Sequence, residues 1–192
     1  MEGHVNYLST ILFCELRRIG QMSIFLNEYS LKTLVSSFVF SRIDYCNALL
    51  ANLPDTILHK LQRFQNHAAR LVLKKRKRDH ITPMLRTLHW LPVSARISYK
   101  IAVLVHKCIN KKAPSYLSDL VQIYVPSRSL RSSDKHLLKV PRKGGKKLAE
   151  RSFSHIAPSV WNSLPLPLRT IPSESRFKVH LKTHLMRSTL TD

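Results

Sequence analysis

A run of five consecutive cations, Lys74 to Arg78, divides this chain, and a fold of 192 residues has no means of burying it. Each flank must therefore find its own apolar surface. Upstream, opening at Asp55, the residues Ile57, Leu58, Leu61, Phe64, Ala68, Leu71 and Val72 recur at three and four, which predicts one amphipathic helix. Lys60, Arg63, Asn66 and Arg70 fall on its other face. Downstream, Thr82-Pro83 suits the cap and first position of a short helix to His89. Trp90-Leu91-Pro92 then breaks the chain. A second long stripe of Val93, Ile97, Ile101, Leu104, Val105 and Cys108 runs to about Asn110.

The same period recurs toward both ends. Val5, Leu8, Leu12, Leu16 and Ile19 predict a helix closed by Gly20, and Asn27 or Ser30 suits the cap of the next. That second helix puts Leu31, Leu34, Val35, Phe38 and Val39 on one face, and Ile43 to Leu50 predicts a third, short one. Beyond Pro114 a short helix is expected over Ser115 to Val121, then one over Leu148 to Leu164 containing Pro158. Leu164 to Leu168 reads as an extended connector. Ser173 opens a last helix with Phe177, Leu181 and Leu185 on its buried side. Only Leu137 to Val140 suits a strand. Low order is expected over Ser127 to Ser133 and around Gly144-Gly145. The expected fold is all-α: a helical bundle with a flexible basic segment and at most a minor β-hairpin. It divides into residues 1–73, a bundle; 74–125, the basic run and a helical hairpin; and 126–192, a basic, partly flexible tail ending in helices.

Charge narrows the function. Lys and Arg number 32 against 11 acids, a formal net charge of +21. Residues 1–73 hold a net of only +2 and residues 74–192 hold +19. Self-repulsion on that scale points to a polyanionic partner, nucleic acid first and an acidic membrane surface second. Three dispersed cysteines, Cys14, Cys46 and Cys108, write neither a disulfide framework nor a zinc knuckle, and they suit a reducing compartment. The opening MEGHVNYLST lacks the basic start of a signal peptide, and the longest uncharged run, Ser152 to Leu168, is broken by three prolines. A soluble chain of intracellular location, nuclear or cytoplasmic, is expected.

Several short tracts resemble one family. They are Ser41-Arg-Ile-Asp-Tyr-Cys-Asn47, Leu61-Gln-Arg-Phe-Gln-Asn66 with Ala68-Ala-Arg70, Asp79-His-Ile-Thr-Pro83 and His89-Trp-Leu-Pro92. Arg96-Ile97 with Tyr99-Lys100, Ala113-Pro-Ser-Tyr-Leu117 and Arg128-Ser-Leu-Arg-Ser132 continue the series. Val140-Pro-Arg142 and Ala157-Pro158 before Trp161-Asn-Ser-Leu-Pro165 complete it. In this order, over roughly residues 11 to 187, they resemble the C-terminal, post-palm region of the reverse transcriptase of non-LTR (LINE-type, jockey-like) retrotransposons. The resemblance implies a thumb-like front part and a tail that helps hold template RNA or target DNA. The parent enzyme is an RNA-directed DNA polymerase. Its catalytic carboxylates have no counterpart here: the six aspartates are scattered singly, whereas two-metal phosphoryl transfer needs them clustered.

The candidate nucleic-acid-binding residues are Lys74, Lys75, Arg76, Lys77 and Arg78, with Arg142, Lys143, Lys146 and Lys147 around the paired glycines. The first run also suits a nuclear localisation signal or a solvated link, and the second a plain basic loop. Trp90 and Trp161 sit at chain breaks beside apolar helices, which favours core anchoring over base stacking; Tyr45, Tyr99 and Tyr116 are read the same way. His180 and His184 have metal-capable spacing but no third ligand beside them. Cys108 with His106, and Ser154 with His155, lack the geometry and accessory groups of a nucleophile and base. No catalytic residue, metal or cofactor is expected, and no membrane or small-molecule partner. The expected function is a non-catalytic nucleic-acid-binding fragment that contacts RNA or DNA through phosphates. The alternatives are a thumb-like part working in trans with a separate polymerase palm, and a degenerate remnant without activity.

Overall fold

The computed structural model describes residues 2–126, 136–141 and 151–190. The basic residues Arg142 to Lys147 and the stretch Ser127 to Ser133, where low order is expected, lie outside the described residues. The fold is all-α. Two compact units comprise residues 1–97 with 186–192, and residues 98–185.

In the first unit, α1 (Glu2–Met22) buries Val5, Leu8, Leu12, Leu16 and Ile19, the stripe its sequence spacing requires. Gly20 does not end this helix but lies within its last turn. Asn27 caps α2 (Glu28–Val35), its Oδ1 accepting from the Ser30 N–H at 2.8 Å. A π-helical turn over Ser36–Phe40 follows, then α3 (Ser41–Asp44). The wider π turn slips the register by one residue. Phe38, expected on the buried face, is exposed, and Phe40 is buried in its place. The short helix expected over Ile43 to Leu50 is also interrupted. Tyr45 is extended and Cys46 left-handed (φ 53°) before a 3₁₀ turn at Asn47–Leu50. This break turns Tyr45 out to solvent, so it is not a core residue.

α4 (Asp55–Val72) buries Leu61, Gln65, Ala68, Ala69 and Val72. It ends in a Schellman motif: the Lys75 N–H donates to the Arg70 carbonyl at 2.9 Å and the Lys74 N–H to the Leu71 carbonyl at 3.4 Å. Lys74 takes the left-handed position (φ 51°) usually filled by glycine, of which the chain has only four. α5 (Ile81–Leu88) starts one residue before Thr82, with His80 at the cap position and Pro83 in the first turn, where no backbone N–H is needed. It ends in the same motif, with His89 left-handed (φ 55°) and the buried Trp90 N–H donating to the carbonyl of buried Leu85 at 2.9 Å.

The first unit is joined by a polar hub. Arg96, near the start of α6 (Val93–Ile109), donates from Nε to Asp44 Oδ1 at 2.9 Å and through a second nitrogen to Oδ2. Its guanidinium lies 4.4 Å from the Phe40 ring centroid, and Phe40 meets buried Trp90 edge-on at 4.5 Å. Gln65 Nε2 donates to the Leu91 carbonyl at 2.7 Å, and Gln62 Oε1 accepts from the Val93 N–H at 2.8 Å. Two glutamines thus satisfy the backbone of the Trp-Leu-Pro break, which helices cannot satisfy for themselves.

In the second unit, α6 is buried on most sides, including Ile101, Ala102, Val105, His106 and Cys108. His106 stacks on Phe177 at 4.3 Å and meets the Ile171 carbonyl at 2.8 Å through Nε2. α7 is only one turn (Ser115–Ser118), shorter than expected, and Tyr116 on it is exposed instead of buried. A single turn offers no second layer for a side chain to pack under. α8 (Phe153–Ser163) carries Pro158 inside and buries Trp161. The expected extended connector contains a helical turn, α9 (Leu166–Arg169), with Pro167 in its first turn. α10 (Glu174–Thr189) buries Phe177 and Leu181. The expected strand is one antiparallel bridge, Ile123 to Leu138. Asn162 brackets it, accepting from the Leu138 N–H and donating to its carbonyl, both at 2.9 Å. Trp161 Nε1 donates to the His136 carbonyl at 2.9 Å. No helix among the described residues is long and apolar enough to cross a membrane.

Candidate nucleic-acid interface

The two faces of α4 do different work. Gln62 and Gln65 turn to the hub, whereas Lys60, Arg63, Phe64, His67, Arg70 and Leu71 open onto a groove of about 1150 Å³. The opposite wall is α1, contributing Asn6, Ser9, Phe13, Leu16 and Arg17. Past the end of α4 the groove is continued by Lys74, Lys75 and Lys77. The Schellman motif reverses the chain there and keeps these lysines beside the helix they follow.

Seven cations line this groove and, among the described residues, no acid does. Lys60 is engaged, by Glu2 at 3.7 Å and by Asn6 Oδ1 at 3.1 Å. Among the described residues Arg70 donates to neutral carbonyls, of Asn66 at 3.5 Å and Asp79 at 3.2 Å, and has no carboxylate in ion-pair reach. Arg17, Arg63, Lys74, Lys75 and Lys77 have no carboxylate in ion-pair reach among the described residues. Six like charges around one concavity focus a positive potential that a passing anion relieves. Leu16, Phe64 and Leu71 add apolar surface to the lining, and Phe13 stands 60% exposed on the α1 wall.

Of the cations singled out in the sequence, Lys74, Lys75 and Lys77 are gathered here. Arg76 and Arg78 are exposed but do not line the groove. The Arg76 backbone N–H is instead held by Asp79 Oδ2 at 2.8 Å, which closes the turn after the run. Arg142, Lys143, Lys146 and Lys147 lie outside the described residues. Sequence reasoning left Arg17, Lys60, Arg63 and Arg70 out of the site. A signal existed for three of them: Lys60, Arg63, His67, Arg70, Lys74 and Lys77 follow one another at three and four, so one cationic stripe leads into the run. Arg17 carried none, because its place depends on α1 lying against α4.

Cys108, His106 and the Ser154–His155 pair have structural occupations. Burial pushes the Cys108 thiol up from its ordinary value, the reverse of what a nucleophile needs. The His106 ring is engaged by Phe177 and the Ile171 carbonyl. Ser152 and Ser154 lie 3.1 and 3.4 Å from His155 Nδ1 where α8 begins, a local arrangement of adjacent residues. Among the described residues no three His, Cys, Asp or Glu side chains converge on a metal position. Trp90 and Trp161 are core anchors, 6% and 1% exposed, and neither is available as a stacking platform.

The fold and the groove thus define an all-α protein with a groove of mixed cationic and apolar lining on its first unit. No family model, no curated protein and no solved structure matches the chain.

Proposed function

We propose that this chain is a non-catalytic, helical nucleic-acid-binding fragment derived from a non-LTR retrotransposon reverse transcriptase, acting through the groove between α1 and α4. The observation that carries the binding half is the groove itself: among the described residues, seven lining cations, six of them without a carboxylate partner, and no lining acid. Phosphates entering it release counterions and relieve cationic self-repulsion together. The origin rests on the ordered tracts from Ser41-Arg-Ile-Asp-Tyr-Cys-Asn47 to Trp161-Asn-Ser-Leu-Pro165. The partners are RNA or DNA, contacted through phosphates, in the nucleus or cytoplasm.

A salt titration of binding to single-stranded RNA, duplex DNA and heparin tests the reading. Tight binding with a steep salt slope that drops when groove cations are removed supports it. Weak binding to all three, with a slope indifferent to those cations, overturns it. A second reading has the chain work in trans with a separate polymerase palm. It is favoured by the apolar side chains of Ile24 and Phe25, between α1 and α2, and of Tyr29 in the first turn of α2, which are 74%, 83% and 79% exposed. Polymerase activity restored on adding the chain to an isolated palm, with none from the chain alone, is its signature.

A further inference from the structure

The groove is not uniformly polar, and that decides which nucleic acid suits it. Duplex DNA presents a convex rod of phosphates with its bases stacked inside, and a flat or concave cationic surface is enough to hold it. This groove instead sets apolar surface between its cations: Phe64 and Leu71 on the α4 wall, and Phe13 on α1 one turn from Arg17. Phe13 is 60% exposed, although Leu12 before it and Leu16 three residues on are buried. An exposed ring at the wall of a cationic channel is wasted on a phosphate, which prefers water to an apolar contact. An unpaired base has the complementary need, a π-face to stack on and a backbone phosphate reaching a cation nearby.

We infer that the groove takes a single strand, with an unpaired base against Phe13 and the backbone running along Arg63, Arg70, Lys74 and Lys77. This rests on the nucleic-acid reading above and specifies it. The α4 cations are spaced to follow a backbone: Lys60 to Arg70 covers about 15 Å of helix axis at ~1.5 Å per residue, and the three lysines extend the track. The volume, about 1150 Å³, exceeds what a single small anion fills and suits a short stretch of polymer. His67 and the Asn66 amide N–H, the Asn66 Oδ1 itself accepting from Gln62 Nε2 at 2.8 Å, also line the groove and offer hydrogen-bonding groups to base or sugar edges. An acidic amphipathic helix shares the charge but segregates it, with carboxylates on one face and apolar side chains on the other. A single strand instead alternates each phosphate with a planar base, which suits a ring set among cations.

The experiment uses the full chain with a single-stranded oligonucleotide of about 12 residues, within the ~4–16 nucleotide range of single-strand sites. The comparison ligands are an abasic strand with the same number of phosphates, the corresponding duplex, and an acidic amphipathic peptide. The variants are Phe13→Ala, Phe13→Leu and Phe13→Tyr. Because the side chain is largely exposed, these leave the helix intact, as circular dichroism will register. Phe13→Ala and Phe13→Leu are expected to weaken single-strand binding about tenfold, Phe13→Tyr to restore it, and the salt slope to stay unchanged. The abasic strand is expected to bind the original chain and Phe13→Ala equally. If Phe13→Ala leaves single-strand affinity unchanged while removal of Lys74, Lys75 and Lys77 lowers it, the single-strand inference falls and the nucleic-acid reading stands. If no nucleic acid responds to the lysines, that reading falls as well. Displacement of the strand by the acidic peptide at equal charge and lower concentration assigns the groove to a protein partner and overturns both.

Discussion

Neutralising the three groove lysines past α4, as Lys74→Asn, Lys75→Gln and Lys77→Gln, is the most direct perturbation of the site. All three side chains are exposed, and asparagine tolerates the left-handed backbone at position 74 (φ 51°), so the fold is retained. Six groove cations lack a carboxylate partner among the described residues; if each meets a phosphate, the single-strand salt slope is about −4, at ~0.7 per neutralised phosphate. Removing three lowers it to about −2. Between 50 and 200 mM salt the original chain should lose about 300-fold in affinity and the variant about 20-fold. Fluorescence anisotropy of a labelled strand across that range reads both slopes. A slope that stays near its original value refutes the groove as the phosphate-binding surface, however tightly the protein binds.

Three further predictions concern the fold, the first two the unit that holds the groove and the third the other unit. His89→Gly should raise stability by about 0.5–1 kcal/mol in urea denaturation: glycine removes the steric cost of a left-handed backbone (φ 55°) but adds unfolded-chain entropy. Arg96→Leu should cost about 1–2 kcal/mol, because it removes the paired bonds to Asp44 and the contact over Phe40 while Asp44 keeps partial access to water. The Glu174 carboxyl is held below its ordinary range, first by the hydrogen bond from Lys178 and also by Lys107. Its contribution is therefore complete above the unfolded value of about 4.3 and is lost as the pH falls through the lower folded value; Glu174→Gln should flatten the acid limb of a stability profile between those two values.

What was legible in the sequence follows from how local each signal is. The α1 stripe from Val5 to Ile19 buries as its spacing requires, since one face of one helix decides it. Asn27 caps α2 because its side chain needs only a backbone N–H three residues on. The π turn at Ser36–Phe40 escaped, because a register slip of one residue appears only when Phe40 is drawn against Trp90 and Arg96, some fifty residues away. Gln65 escaped likewise. A glutamine within an apolar stripe reads as a surface position until the Leu91 carbonyl arrives to take its N–H. The groove was half legible: the cations of α4 recur at helical spacing into the Lys74 run, whereas Arg17 and Phe13 join them only through tertiary packing.

The division of labour on α4 bears on what the resembling tracts do. In Leu61-Gln-Arg-Phe-Gln-Asn66, Gln62 and Gln65 hold the backbone at Leu91 and Val93, while Arg63 and Phe64 line the groove. Asp44 from Ser41–Asn47, Trp90 from His89–Pro92 and Arg96 meet in the hub behind that same helix. Trp161 and Asn162 fix the backbone at His136 and Leu138 in the second unit. Four tract residues, Gln62, Gln65, Trp161 and Asn162, therefore act by satisfying backbone groups at chain breaks, where helices leave donors and acceptors open. A hub so built fixes α4 by its buried face and leaves its other face free to vary in charge. Loss of hub residues should then lower stability and binding together, whereas loss of groove residues should lower binding alone. That contrast separates a framework built to present a nucleic-acid channel from a framework whose charge is incidental.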